Sequence, residues 1–492
     1  MNFNKKLTVA VSGAVLLMAG QFALADSTTD IVDALVSKGV LTEEEGKLIT
    51  KGATSKAKAD EKTMKSKVNI SNAIDNATIY GDIRVRGESR KANGIFGANG
   101  VIGKEDLTRG RYKVAFGIET KSGDWYTDLS LAGGATGRSD NLNFATSTTA
   151  YNTKQALLVR TAMIGWKATD WLTLEAGRTK NPFYSTPMVW DADYTVEGIV
   201  EKANFKLGNA DIFLNAAQME YLGVNTTQVN ANVSASSGTN EMYGFQGGAK
   251  YNFTEKTSGK AALSYYIYGH NNRSLGANNL QAGFVPGLNT TSYGTTIGTL
   301  AANNSQAIAS SFNPFGINDL DILEIPAEVN MMAFNNVGVR LYGDYAQNLS
   351  GDDRANNACR LVGGTGAYCN GAGSDDKAWL LGFVVGSASD LKQFESNKLK
   401  KGDWQARIWY QEVGVWALDP NLVDSDFMDS RVNMKGVVFK GQYNIQDNVF
   451  ANIAYGTGSR KNNAYGTAGS SDLASGNIDN LEILQLDLTY KF

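Results

Sequence analysis

The chain has 492 residues, with 46 basic against 49 acidic side chains, a formal net charge of −3, two cysteines and a single histidine, His270. No basic patch argues for nucleic acid, and no cofactor is expected. No Pro-rich or Ser-rich linker divides the length into the roughly three domains a soluble chain of this size would suggest, so one large architecture fits better.

The first residues read as a secretory signal peptide: Lys5 and Lys6, an apolar stretch from Leu7 to Gly20, then Ala23-Leu24-Ala25 before Asp26. Cleavage after Ala25 would leave 44 basic and 49 acidic residues, a charge of −5. Residues 26–67 form a separate segment. Ile31, Leu35 and Val36 recur at helical spacing, and Thr42-x-x-Glu45 is a capping box opening a second short helix. This leader reads as a periplasmic tether or weak coiled coil, or else as a disordered link. No later run of 18 apolar residues offers a transmembrane helix. A closed barrel is the other way to cross a bilayer with every backbone group hydrogen-bonded.

From Ala77 onward the chain breaks into sixteen segments that alternate or lean apolar: 77–90, 107–121, 124–134, 156–168, 171–179, 195–207, 210–221, 241–254, 256–269, 320–334, 337–349, 377–387, 403–414, 431–444, 447–459 and 480–492. Tilted membrane strands need about this length. Turn-sized links such as Ser122-Gly123, Thr169-Asp170 and Gly208-Asn209 alternate with long ones such as 91–106, 135–155 and 270–319, apart from the basic turn 388–402. Short periplasmic turns and longer external loops follow that rule. The fold class is therefore all-β: a transmembrane antiparallel barrel of about sixteen strands behind a helical periplasmic segment.

Period-two patterning assigns the faces. In the first strand Ile79, Ile83 and Val85 point to lipid, and Asp82, Arg84, Arg86 and Glu88 to the lumen. Tyr112, Val114, Phe116 and Ile118 oppose Arg111, Lys113 and Glu119 in the second; Trp404, Ala406, Ile408 and Tyr410 oppose Gln405, Arg407 and Gln411 further on. In the last, Leu484, Leu486, Leu488, Tyr490 and Phe492 oppose Gln485, Asp487, Thr489 and Lys491. Aromatics beside the short turns, among them Trp125, Trp166, Trp171, Phe205, Phe213, Tyr251, Phe253, Phe334, Trp404, Tyr443 and Phe450, suit a girdle at headgroup level.

Two stretches resemble the Putative porin family of Gram-negative outer membranes. One runs Gly177-Arg178-Thr179-Lys180-Asn181-Pro182-Phe183, then Val189-Trp190-Asp191-Ala192-Asp193 and Glu197-Gly198. The other runs Lys401-Gly402-Asp403-Trp404-Gln405-Ala406-Arg407 with Asp424-Ser425-Asp426-Phe427 and Lys435-Gly436. The leader words Val32-Asp33-Ala34-Leu35-Val36 and Gly39-Val40-Leu41-Thr42 are similar to the family's as well. Met428–Met434 departs from the Gly-rich, Asn-containing stretch expected there. The resemblance implies an outer-membrane channel for passive passage of small hydrophilic solutes or ions. By analogy with porins it also implies a homotrimer, and it makes Phe492 the terminal aromatic read by the barrel assembly machinery.

A barrel this wide leaves an aqueous channel, and lumen charges with infolded loops tune it. The pore-lining candidates are Asp82, Arg84, Arg86, Glu88, Arg111, Lys113, Glu119, Glu175, Arg178, Asp191, Asp193, Glu197 and Arg407. Arg178, Asp191, Asp193 and Glu197 surround the shortest external connection, which contains Pro182 and Pro187 and suits a constriction. Strict alternation aims Arg178 at lipid, so that placement needs a bulge or a height above the membrane. Cys359 and Cys369 are close enough to staple one loop by a disulfide. Asp424 and Asp426 offer hard oxygen ligands but read as solvated loop carboxylates, and no metal is expected. The run Gly363-Gly364-Thr365-Gly366 lacks the lysine of a phosphate loop. A Ser/His hydrolase would have to rest on His270, which has no acid-nucleophile arrangement beside it, so no enzyme is expected. The competing class is a non-conducting structural or adhesive barrel anchored through 26–67.

Overall fold

The computed structural model describes residues 74–96, 101–134, 139–145, 154–222, 240–268, 320–334, 336–353, 355–356, 375–387, 399–419, 422–428, 431–463 and 476–492. The expected signal and leader segments, His270, Cys359, Cys369 and the 363–366 run lie outside them.

Among the described residues seventeen strands follow in chain order: β1 (Asn76–Phe96), β2 (Val101–Ser122), β3 (Trp125–Gly133), β4 (Leu142–Asn143), β5 (Leu157–Lys167), β6 (Leu172–Lys180), β7 (Thr195–Leu207), β8 (Ala210–Leu222), β9 (Asn240–Thr254), β10 (Thr257–Tyr268), β11 (Asp321–Phe334), β12 (Val337–Asn348), β13 (Lys377–Ser387), β14 (Trp404–Val413), β15 (Met434–Gln446), β16 (Val449–Arg460) and β17 (Gly476–Lys491). All sixteen expected strands are present, and every pairing is antiparallel between neighbours. The ring closes where β1 pairs with β17, from Asp82 opposite Lys491 to Phe96 opposite Gly476. Gly81 and Phe492 exchange backbone hydrogen bonds of 3.0 Å each way beside that seam. Closure leaves the sheet without an open edge, as a bilayer demands.

Two differences from the sequence reading concern ladders rather than burial. β1 and β2 pair as far as Phe96 opposite Val101, well into the expected 91–106 loop. Lys91, Lys104 and Asp106 lie exposed on the outward face there, so that face carries charge instead of an apolar stripe, while Arg90 and Ala92 on the inner face are buried. β4 lies within the expected 135–155 loop. β3 stops at Gly133 while β2 continues, and β4 pairs with β2 at Arg111 and Tyr112.

The outward face is apolar as expected. Ile83, Val85, Ile408, Leu486 and Leu488 are exposed, whereas Arg86, Glu88, Gln405 and Gln485 are buried. Trp125 stacks on Trp166 at 5.5 Å and Trp171 on Phe205 at 5.3 Å, both beside short turns. Phe213 and Phe450 depart from the expected girdle. Phe213 pairs with Gly248 and Phe450 with the buried Thr489, on the lumen face, and a Cβ on Gly248 would lie 2.2 Å from the Phe213 ring. Proximity to a turn sets an aromatic's height but not its face.

The main buried cluster sits inside the barrel. Inward side chains of the wall, among them Val196, Met219, Met242, Tyr266, Ile322 and Leu380, pack there with apolar residues of two connections.

Candidate pore and its constriction

The two connections are 181–194, between β6 and β7, and 414–433, between β14 and β15. Both are rich in apolar side chains, and Met188, Val189, Trp190, Val415, Trp416, Leu422, Val423 and Phe427 are all buried. An apolar loop at a barrel mouth gains most by folding into the lumen, since water repels it and exposed irregular backbone is not tolerated in hydrocarbon. Gly177 makes the first departure possible. Its φ is +114°, and a Cβ there would lie 2.3 Å from the Ala162 carbonyl oxygen.

Each loop is fastened to the wall. In the first, Asn215 Nδ2 donates to the Pro182 carbonyl at 3.0 Å, and Gln246 exchanges two 2.8 Å bonds with the Tyr184 backbone. Ser185 donates to Glu324 and Thr186 to Asp344. Trp190 meets Tyr266 edge to face at 5.2 Å. In the second, Asn348 Nδ2 donates to the Trp416 carbonyl at 2.8 Å, and Tyr221 donates to Asp419.

The loops then meet each other. The Asp191 amide donates to the Leu422 carbonyl at 2.6 Å, the Asp424 amide to the Pro187 carbonyl at 3.1 Å, and the Ser425 amide to Asp191 Oδ2 at 3.0 Å. β6 and β14 lie half a ring apart, so this seam spans the lumen between opposite walls. Asp191 Oδ1 also accepts from the Asp193 amide at 2.8 Å, which shapes the turn.

Facing the seam, the wall of β17, β1, β2 and β5 is charged. Arg86 forks onto Asp487 at 2.8 and 3.0 Å and reaches Asp426 of the second loop at 2.9 Å. Glu88 takes Arg90 at 3.0 Å, Arg109 at 2.5 Å and Arg111 at 3.5 Å. Lys113 lies 3.0 Å from Asp140 and 3.7 Å from Asp193 of the first loop, and Arg160 lies 3.3 and 4.0 Å from the same two. Glu88 and Arg90 are fully buried, but Arg84, Lys113, Arg160, Asp193 and Asp426 keep 11–26% of their side-chain surface open. Those five can therefore meet a solute.

The loop carboxyls are strongly perturbed. Burial, with Asp426 and Asp191 beside it, pushes Asp424 up to about 7 against the pull of Lys440. Burial alone would raise Asp426 too, but Arg86, Lys440, Arg84 and Arg90 outweigh it and hold that group below the usual carboxylate range. Asp140 is raised by burial and by Asp193.

The structure thus gathers Arg84, Arg86, Glu88, Arg111, Lys113, Asp191 and Asp193 around one region. Asp82 shares their face on β1. Glu175 stands apart on β6, accepting from Tyr126 and Lys202 at 2.7 and 2.8 Å; Glu119 lies near the short turn between β2 and β3; Arg407 pairs in register with Lys440 on β14 and β15. Arg178 and Glu197 are a correction. They pair directly across β6 and β7 and form an outward-facing ion pair, in register with exposed Ala162, so neither reaches the lumen. Gly177 turns the backbone without inverting the alternation.

Arg160, Asp140, Arg109, Asp426 and Asp487 belong to the cluster and were not among the candidates. Asp487 already stood on the polar face of the last strand. Arg160 was invisible to strict alternation. A bulge opposite Ser130 and Leu131 skips it in the pairing and lets it join Thr161 on the inner side. Among the described residues no group of three or more His, Cys, Asp or Glu side chains could hold a metal ion.

A family model described as Putative porin matches residues 100–492. No significant match is found among curated proteins. Among solved structures, OprB of Pseudomonas putida, in its high-pH structure, aligns at 12% identity and TM-score 0.47, covering 85% of this chain and 94% of its own. The outer membrane channel DcaP of Acinetobacter baumannii aligns at 12% and 0.39, covering 85% and 97%. Salmonella typhi OmpF in complex with daunomycin aligns at 13% and 0.41, covering 86% and 99%.

Proposed function

From the premise that this chain belongs to the Putative porin family, and is thus an outer-membrane β-barrel channel for passive diffusion of solutes in a Gram-negative bacterium, we propose the route and the setting of that passage. The route runs along the charged flank where the wall of β1, β2 and β5 meets the loop seam. Small hydrophilic solutes or ions pass over the open surfaces of Arg84, Lys113, Arg160, Asp193 and Asp426, which ion pairs hold together into one lining. The observation that carries this is the contrast in exposure: these groups keep open surface, while the apolar residues on the far side of the seam are buried. Charged lumen groups at a narrow point set ion preference.

In the same reading the chain is exported by its first 25 residues and cleaved after Ala25. Residues 26–67 stay in the periplasm, Phe492 is offered to the barrel assembly machinery, and the barrel works as a homo-oligomer, a trimer. Charge reversal tests the route. Lys113→Glu with Arg160→Glu in planar bilayers is expected to move the reversal potential toward cations several-fold in permeability ratio. An unchanged reversal potential would remove the route from this wall.

A further inference from the structure

The inner face of the wall carries two charge textures. On β1 and β2 acids stand among bases, with Asp82 and Glu88 beside Arg84, Arg86, Arg111 and Lys113. From β12 to β15 the inner positions hold Arg340, Arg407 and Lys440 against one carboxyl, Asp344, which accepts from Thr186 of the first loop.

Those three cations share a single rung of the sheet. Arg340 lies opposite Val384, Val384 opposite Arg407, and Arg407 opposite Lys440. With strands about 4.8 Å apart the row spans about 15 Å. The next inner rung toward the loops is Tyr342, Gly382 and Trp409, and the next one away from them is Gly338, Gly386 and Gln405. Glycine shapes both. Gly382 lets the Tyr342 ring lie across β13, where a Cβ would run into it, and Gly338 and Gly386 leave β12 and β13 without side chains below the arginines.

The row is oriented by amides as well as acids. Arg340 Nε donates to Asn330 at 2.7 Å, with Glu328 3.8 Å away, and Arg407 Nη2 donates to Gln405 at 2.6 Å. An amide fixes a guanidinium without cancelling its charge. Lys440 Nζ lies 4.4 Å from the centre of the Phe427 ring, within the pull of Asp424 and of Asp426, and Asp426 is shared with Arg86. Arg340 keeps 20% of its side-chain surface open, and Tyr342, Arg407 and Lys440 are half-buried. Beyond Lys440 the rung continues through Ala454 and Gln485 to Glu88, so the row joins the charged wall of the route.

A guanidinium fork pairs with the oxygens of a carboxylate or a phosphate. The rings add a second requirement. They stand two residues along the strand from the arginines, about 7 Å, and an anion with a flat apolar body fills both rungs where a bare inorganic anion fills one. We infer that this row is a solute subsite for organic carboxylates with a flat apolar body, of which benzoate is the simplest. It rests on the route proposed above and adds the class of solute and the residues that hold it.

The test uses the full-length protein in planar bilayers. Single-channel current in potassium chloride is titrated with benzoate, with its neutral counterpart benzamide and with inorganic phosphate. The variants are Arg340→Gln with Arg407→Gln, Arg407→Lys, which keeps the charge and gives up the fork, and Tyr342→Leu. Benzoate is expected to interrupt the wild-type current at concentrations about tenfold below phosphate, and benzamide to leave it alone. The half-blocking concentration of benzoate should rise about tenfold or more in the double variant, and about threefold in Tyr342→Leu. Arg407→Lys should fall between wild type and the double variant, and with Tyr342→Leu it carries the test if the double variant does not fold. Equal interruption by benzoate and phosphate overturns the solute class, and a benzoate response that is absent, or the same in every variant, overturns the subsite. The reversal potential of Lys113→Glu with Arg160→Glu touches none of these residues and judges the route separately, so either reading can fall alone.

Discussion

The two sides of the lumen are built from different chemistry. Toward β8 to β13 the loops meet the wall through buried aromatics, amide pairs and apolar side chains, with Trp190 against Tyr266 and Gln246 against Tyr184. Toward β17 to β5 the same loops present Asp193 and Asp426 to a wall of arginine and lysine, in ion pairs that leave both carboxylates partly open. Apolar contacts stabilise by excluding water, so that half fixes the loops in place. Charged groups keep their hydration unless fully paired, so the other half stays wet. One pair of loops thus serves as packing on one flank and as a lining on the other.

The strongest way to break the contrast is to hollow out the packed flank. Trp190→Ala together with Phe427→Ala removes two buried rings, each with an expected cost of about 3–5 kcal/mol. The loops should loosen, and single-channel conductance should rise with noisier open states in bilayer recordings. On the charged flank, Arg86→Ala strands Asp426 and Asp487, a loss of about 3–5 kcal/mol expected for one partner of a buried pair. Urea unfolding in detergent measures it, and Arg86→Ala with Asp426→Asn should recover part of the loss.

Acidity offers a finer test of the seam. The Asp424 carboxyl moves from an ordinary 3.8 to about 7 in the folded protein, so its contribution to the docked seam is complete below 3.8 and is lost as pH rises through about 7. Conductance is expected to be lower near pH 5 than near pH 8. Asp424→Asn should flatten that difference, and an unaltered profile in this variant would assign it elsewhere, with Asp140 the next group to change. The smallest effect belongs to Arg178→Ala. An outward-facing side chain should leave conductance and ion preference of the single barrel unchanged, and a shift in either would put Arg178 back in the lumen.

Much of the barrel was legible because each strand writes its environment at every second residue. Val85 and Arg86, or Leu486 and Gln485, report lipid and lumen without knowledge of any neighbour. The site was legible only where it lay on that pattern, as for Arg84, Arg86, Glu88, Arg111 and Lys113. What decides the remainder is non-local. The bulge that turns Arg160 inward is a property of the pairing between β3 and β5, and the seam exists because residues 187–191 meet residues 422–425. Trp190 and Trp416 look like ordinary loop aromatics until an opposite wall is there to receive them. Phe213 and Phe450 show the same limit, since their positions beside turns say nothing of the glycine or threonine waiting across the strand.

The seam between β1 and β17 has a kinetic consequence. Fourteen of the sixteen wall joins link strands that follow one another in sequence and a fifteenth, β3 with β5, skips only the two-residue β4, but this one unites Asp82 with Lys491. Bringing ends together across about 400 residues rather than a two-residue turn adds about 5 kcal/mol of chain entropy. The ring should therefore zip from its local hairpins and shut here last, in the slow step set by its most distant contact. Until then two unsatisfied strand edges face each other, and whatever holds them in register governs how fast the finished cylinder appears.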